Sequence, residues 1–392
     1  MHKSFDTYIP TKILFGRGRV RDLGREVAAL GKRALMVTVP WDDVQAEQFR
    51  RIQRILEDSG VEVAVHAKVR RNHPEIAHIN DAAAMAREFG AEVILGVGGG
   101  SSIDSAKAVA VGMRHPGEPW DYRFQTNKPL DPSLIPPIVA VTTTSGTGSH
   151  ATKYSVISNA RIESKSSISD PAIFPRVSVV DPELIVSLPE HQTASTAFDA
   201  FAHAFESYTN ITANPLIDML CFKAMEIIFD KLEYVMAHPD DIDARAAMAY
   251  ADTLAGISIA NVGTTLPHAI GQPMTGRFPS VTHGESMAVV YPEFIRFSYK
   301  SCPAKFAAVA RLLDRKLHVL PDMEAAAALE GALVGFMKRV GMYFSLHDLG
   351  VTDDKFDAII SDALTYGDTY VAPKTPTQDE IRRMLTDAKS RS

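Results

Sequence analysis

The chain has 392 residues, 46% of them hydrophobic, and a formal net charge of −6, enough apolar material for one large core or two medium ones. The acidic balance and the lack of any long basic run argue against nucleic acid as the main partner. No apolar run reaches the roughly 18 residues of a membrane span, the start MHKSFDTYIP lacks a signal-peptide hydrophobic segment, and Cys221 and Cys302 read as reduced thiols, so a cytoplasmic protein is expected.

Up to about residue 188, short apolar runs alternate with helical patterns: RALMVTV, VEVAVHA, EVILGVG, IPPIVAVTTT and RVSVVD. That rhythm predicts an α/β domain on a mostly parallel, doubly wound sheet. After SLPEHQTAS the strands stop. PLIDMLCFKAMEIIFDKLEYVMA, ARAAMAYADTLAGISIA and MEAAAALEGALVGFMKRVG read as packed helices, and the last segment reads as a Pro-bearing loop and a closing helix. The expected division therefore lies near Pro189, giving domains 1–188 and 189–392. With no low-complexity linker, the two are expected to pack directly with the active site between them.

Two constellations carry chemistry. In VILGVGGGSSIDSAK, Val93 to Val97 form an apolar, β-branched run suited to a buried parallel strand. Gly98, Gly99 and Gly100 supply a turn without Cβ atoms. Ser101 or Ser102 is expected to cap the following helix, whose first turn carries Asp104. A strand, a glycine turn and a helix N-terminus attract a pyrophosphate, although the stretch is not the common G-x-G-x-x-G fingerprint.

The second constellation lies in STAFDAFAHAFESY, where a four-residue helical step turns about 40° and sets Asp199 and His203 on one face. His268 in TTLPHAIGQP and His283 in SVTHGESMAVV each fall where a loop meets a helix. One carboxylate and three imidazoles suit a divalent ion such as ferrous iron, zinc or manganese.

GGGSSIDSAK resembles the GGGSxxDxAK signature of the iron-dependent (type III) alcohol dehydrogenase superfamily. The resemblance continues through TTTSGTGSHATKYSVIS, FPRVSVVDPELIVSLP, FDAFAHAFESY and AGISIANVGTTLPHAIGQP to the His283 segment, in the family's order, over roughly residues 10 to 300. It implies a dehydroquinate synthase-like architecture with an α/β dinucleotide-binding N-terminal domain and an all-α, metal-binding C-terminal domain. It also implies NAD or NADP as cofactor, one divalent metal with iron foremost, a small alcohol or aldehyde as substrate, and a homodimer or larger homo-oligomer. Hydride would pass between nicotinamide C4 and the carbinol carbon, the substrate oxygen being held by the ion.

By resemblance, Gly98 to Gly100 with Ser101 and Ser102 match the pyrophosphate loop, ordered by Asp104. Thr143, Thr144 and Thr147 match a second loop along the cofactor. Lys165 and Leu184 match further cofactor contacts, and Asn72 stands where an Asn-Pro pair approaches the cofactor, here interrupted by His73. Asp199, His203, His268 and His283 match the four metal ligands.

Three departures from the family's pattern are visible. Gln272 replaces a histidine suspected of proton relay and cannot titrate near neutral pH, so no protein general base is assigned. GTGSH replaces GTGSE, and His150 is expected either to favour an anionic substrate group or to be a surface histidine. Val39 stands near the place where NAD-preferring relatives carry an aspartate, so NADP(H) is expected to be accepted, unless Asp42 or Asp43 restores the acid. The rival readings are a metal-independent maleylacetate-type reductase, which usually lacks the full ligand set, and a dehydroquinate synthase-type lyase. The lyase needs a Lys/Arg cluster for which the His268 and His283 segments offer only Arg277.

Overall fold

The computed structural model describes residues 4–41 and 45–391. These divide into two compact units. The first is Tyr8–Leu188 together with Pro239–Ala249; the second is Pro189–His238 with the chain from Tyr250 onward and residues 4–7. Residues 239–249, read from sequence with the helical half, thus pack with the first unit. Arg245 ties them there, its guanidinium donating to the carbonyls of Pro239 and Leu188.

The first unit is built on strands β1 (Lys12–Phe15), β2 (Arg33–Val37), β3 (Glu62–His66), β4 (Val93–Gly98) and β5 (Ile138–Thr142) and helices α1 (Leu23–Ala28), α2 (Ala46–Asp58), α3 (Ile76–Phe89) and α4 (Gly100–Arg114). It closes with a hairpin, β6 (Tyr154–Asn159) and β7 (Ser164–Ser169), and strand β8 (Val177–Val180). Six strands form one parallel sheet in the order β1-β8-β5-β4-β2-β3. Every residue of β4 and β5 is buried, as parallel strands covered on both faces require. From β2 the chain runs outward to β3, and from β4 it runs the other way to β5. The reversal lies between β2 and β4, and a doubly wound sheet binds its ligands at the carboxyl ends beside such a reversal. The Gly98 turn stands there.

The five strands read from sequence all form. Three further strands were not read. β1 is a four-residue edge strand. β6 and β7 are rich in serine and pair antiparallel with each other, outside the main sheet.

The second unit contains α5 (Glu190–Thr209), α6 (Pro215–Ala237), most of α7 (Ile242–Asn261), α8 (Leu266–Arg277), α9 (His283–Ala288), α10 (Tyr291–Ser298), α11 (Pro303–Leu313), α12 (Asp322–Arg339), α13 (Phe356–Ala363) and α14 (Gln378–Lys389). Its core is aromatic: Phe198, Phe201 and Phe205 on α5 surround the buried Tyr291 ring at centroid distances of 5.3 to 5.8 Å. Asn214 caps α6, accepting from the amides of Leu216 and Ile217 with Pro215 in the first turn, the arrangement that most sharply starts a helix. Among the described residues no helix is long and apolar enough to cross a membrane.

Candidate metal centre and cofactor loops

Asp199, His203, His268 and His283 come together in the second unit, one ligand atom from each lying within 4.8 Å of all the others. Asp199 and His203 ride on α5, His268 on the first turn of α8, and His283 opens α9. Small residues allow these helices to approach. A Cβ on Gly284 would lie 2.0 Å from the Ser195 carbonyl of α5, and one on Gly271 would lie 2.0 Å from the Met287 side chain of α9. His283 is aimed by a capping box: Thr282 accepts from the Glu285 amide while Glu285 accepts from the Thr282 amide.

Asp199 Oδ1 is the hub. It lies 3.6 Å from His203 Nε2 and 3.7 Å from Nε2 of both His268 and His283. Those separations are too long for good hydrogen bonds, and Asp199 Oδ1 and His268 Nε2 are buried with no hydrogen-bond partner. They are close to the roughly 3.4 Å expected between two ligands each about 2.1 Å from one tetrahedral ion. The donor set therefore fits a divalent cation. Burial pushes the Asp199 carboxyl up, but the three imidazoles outweigh it and hold the group below the usual carboxylate range. For His268, burial pulls down while Glu206 and Asp199 push up, to about 10.

Sequence reading missed Glu206, which accepts from His268 Nδ1 at 2.7 Å. The signal was available: Asp199, His203 and Glu206 stand at i, i+4 and i+7, one face of α5. Gln272 is buried on α8, and its side-chain oxygen makes no hydrogen bond.

In the first unit the glycine turn is also as compact as the sequence implied. Gly98 adopts φ 140°, where a side chain would be strained, and its carbonyl accepts from the Thr143 amide at 3.0 Å. A Cβ on Gly99 would lie 2.9 Å from Thr144 Cγ2, and one on Gly100 2.6 Å from Thr147 Cγ2. The two loops are therefore in contact through their glycines and threonines. Two expectations are corrected: Gly99 is the N-cap and no side chain caps α4, and Asp104 falls just past its first turn. Ser101 and Ser102 lie inside the helix, because the chain has already turned helical at Gly100. The first amides of α4 thus have no side-chain acceptor, while the buried hydroxyls of Ser102 and Thr144 have no hydrogen bond.

Asp104 is buried and serves the loops. Its carboxylate accepts from the Ser149 hydroxyl at 2.5 Å and the Val156 amide at 3.1 Å. Lys107, also missed from sequence, is fully buried and donates to the carbonyls of Ser149 and Tyr154 and to the Thr152 hydroxyl. Lys165 lies buried on β7 and acts electrostatically on Asp104. Leu184 packs in the hydrophobic core of the first unit, and its carbonyl accepts from Gln48. Asn72 sits exposed on a turn with φ 65°, a conformation asparagine tolerates better than most residues.

His150 is not on the surface. It is 1% exposed, and burial together with Lys107 pulls its pKa down to about 3, so it is neutral at working pH and gives no cation for an anionic substrate. Val39 is buried in the core, and the Thr38 hydroxyl donates to its carbonyl. Asp42 and Asp43 lie outside the described residues.

Residues 10–182 match the iron-containing alcohol dehydrogenase family, and residues 193–389 match its C-terminal domain. The chain belongs to the iron-containing alcohol dehydrogenase family. It is 33% identical to the choline dehydrogenase of Bacillus subtilis (strain 168), over 95% of this chain and 92% of that one. Its fold superposes on an archaeal halo-thermophilic Red Sea brine pool alcohol dehydrogenase with a TM-score of 0.93 at 28% identity, covering 99% and 100% of the two chains. It also superposes on the sulfoacetaldehyde reductase of Bifidobacterium kashiwanohense in complex with NAD+, with a TM-score of 0.86 at 27% identity and complete coverage of both chains. The protein is an alcohol oxidoreductase. The dehydroquinate synthase-type lyase is not favoured, and Arg277, its one candidate cation, is paired with Asp362 at 2.8 Å.

Proposed function

We propose that the protein is a metal-dependent, NAD(P)-linked alcohol dehydrogenase or aldehyde reductase acting on a small alcohol or aldehyde. The observation that carries this reading is the convergence of three imidazole nitrogens on one buried carboxylate oxygen of Asp199. Asp199, His203, His268 and His283 would hold the ion, with iron foremost and zinc or manganese compatible with the same donors. When bound, the ion supplies Lewis-acid polarisation of an alcohol or carbonyl oxygen. The maleylacetate-type branch usually lacks this complete ligand set, which speaks against a metal-independent reaction.

The chain's own contribution is binding and orientation. Gly98, Gly99, Gly100 and the first amides of α4, including that of Ser101, would receive the pyrophosphate, with the unpaired Ser102 hydroxyl as a further donor. Thr143, Thr144 and Thr147 would line the dinucleotide, with Asp104 holding the two loops in register. Lys165, Leu184 and Asn72 are proposed as outer cofactor contacts, and the burial of Leu184 limits its side chain to shaping the site from behind. Gln272, whose side-chain oxygen is unpaired, can offer a ligand a hydrogen bond but does not titrate, so protons leave by another route. With Val39 in place of an acid, we propose that NADP(H) is accepted. Assembly as a homodimer or larger homo-oligomer and a cytoplasmic location are proposed on the family resemblance.

The test is anaerobic turnover of short-chain alcohols and aldehydes with NAD(H) and NADP(H), before and after chelation, with iron, zinc or manganese restored. Activity lost to chelator and regained with metal is expected; turnover indifferent to metal would overturn the reading.

A further inference from the structure

We infer that Glu206 is the positioning residue of the metal centre, holding His268 in the tautomer and orientation that present Nε2 to the ion. The inference rests on the metal-dependent reading above. Glu206 is fully buried, and both its oxygens are engaged. Oε1 accepts from His268 Nδ1 at 2.7 Å and from the Tyr291 hydroxyl at 3.3 Å. Oε2 accepts from the Thr265 amide at 2.7 Å and the Thr265 hydroxyl at 3.2 Å.

With an ion in place of its second proton, a ligating imidazole is neutral and carries one proton on one ring nitrogen. Once Nδ1–H donates to a carboxylate, Nε2 is left with its lone pair. His268 Nε2 is the atom that is buried without a hydrogen bond and turned toward Asp199. The carboxylate is also fixed in place. Thr265 is the N-cap of α8, so Glu206 binds the turn that starts the helix bearing His268. Tyr291 opens α10, and its single hydroxyl proton is shared between Glu206 Oε1 and the Ala202 carbonyl on α5, at 3.3 and 3.2 Å. Glu206 thus connects α5, α8 and α10 through one buried group, and its four donors leave it no free oxygen for the ion itself. Partners of this kind orient metal-bound histidines and raise their basicity.

The test uses the full-length protein loaded with cobalt(II) or zinc. Glu206→Gln keeps the volume but removes the charge and places an amide NH2 against existing donors. Its zinc affinity, measured by competition with a chromophoric chelator, is expected to fall about 10- to 100-fold, and the visible cobalt(II) absorption is expected to shift. Tyr291→Phe removes one donor but leaves the His268 bond, and its affinity is expected to stay within about threefold of the parent. Wild-type protein that binds no metal would overturn the metal-dependent reading. Wild-type protein that binds zinc while Glu206→Gln binds it equally, with an unchanged cobalt spectrum, would overturn this inference alone. Should Glu206→Gln fail to fold, nitrogen-15 spectra of the zinc-loaded parent decide: His268 protonated at Nδ1 supports the assignment, and protonation at Nε2 overturns it.

Discussion

The imidazoles of His203 and His268 stack on one another, centroids 4.8 Å apart and planes 23° from parallel, although one rides on α5 and the other on α8. Each turns Nε2 toward the same oxygen of Asp199. Such stacking leaves the far edge of both rings to the protein and brings the two donor atoms to one point, which is the geometry a shared cation uses. Removing the central charge should therefore cost more than removing any one ring. In Asp199→Asn, bound metal is expected to fall below half an equivalent and kcat/KM by at least about 100-fold, a loss of about 2.7 kcal/mol of transition-state stabilisation. Metal analysis and steady-state kinetics check this. The rise in melting temperature on adding zinc, expected for the parent through linkage, should vanish in the variant.

The contact of Gly100 with Thr147 gives a prediction for the cofactor. An alanine Cβ at position 100 would sit 2.6 Å from Thr147 Cγ2, so the second loop must move. Gly100→Ala is expected to raise the Kd for NADH or NADPH about tenfold, with bound metal unchanged. Titration by reduced-nicotinamide fluorescence measures it, and an unaltered Kd would count against the assignment of these loops.

The proposed role of residue 39 in cofactor choice is testable. The parent is expected to use NADP(H) with a kcat/KM no more than tenfold below that for NAD(H). Val39→Asp should move the ratio toward NAD(H) by at least about tenfold, because a carboxylate repels a 2′-phosphate. Val39 is buried, so an aspartate there also faces a desolvation cost, and the ratio of the two cofactors is the quantity to compare.

His150 makes stability depend on acid. In the folded protein, burial and Lys107 hold its pKa at about 3, against the 6.5 of an ordinary histidine. Between those two values the unfolded chain binds a proton there and the folded one does not, so unfolding is favoured as pH falls and stability returns as it rises. One such group changes stability by up to about 1.4 kcal/mol per pH unit within that window. Urea unfolding at pH 7, 6 and 5 should show a smaller loss for His150→Gln than for the parent. An equal slope in both would show that other groups govern acid sensitivity.

Much of this protein was written locally. Val93 to Val97 followed by three glycines already described a buried strand, a tight turn and a helix start, because β-branched runs and missing Cβ atoms act on their own backbone. Asp199 and His203 were readable as one face of a helix from their spacing alone, and Glu206 continued the same face. The departures at Gln272 and Val39 were likewise visible from residue identity. What the chain could not show is what depends on distant segments. His150 looked like a polar residue in a loop, and only its burial beside Lys107 made it a neutral core group. Serine-rich β6 and β7 lacked an apolar signature because their pairing is with each other. Residues 239–249 read as part of a helical run, yet hydrogen bonds from Arg245 draw them to the other unit. The convergence of Asp199, His203, His268 and His283 depended on Gly271 and Gly284, which let α8 and α9 pack within reach. Sequence thus determined the inventory of donors and turns, through chemistry that each residue carries with it. Tertiary structure decided which donors share a point and which are desolvated, because distance and burial belong to no residue alone.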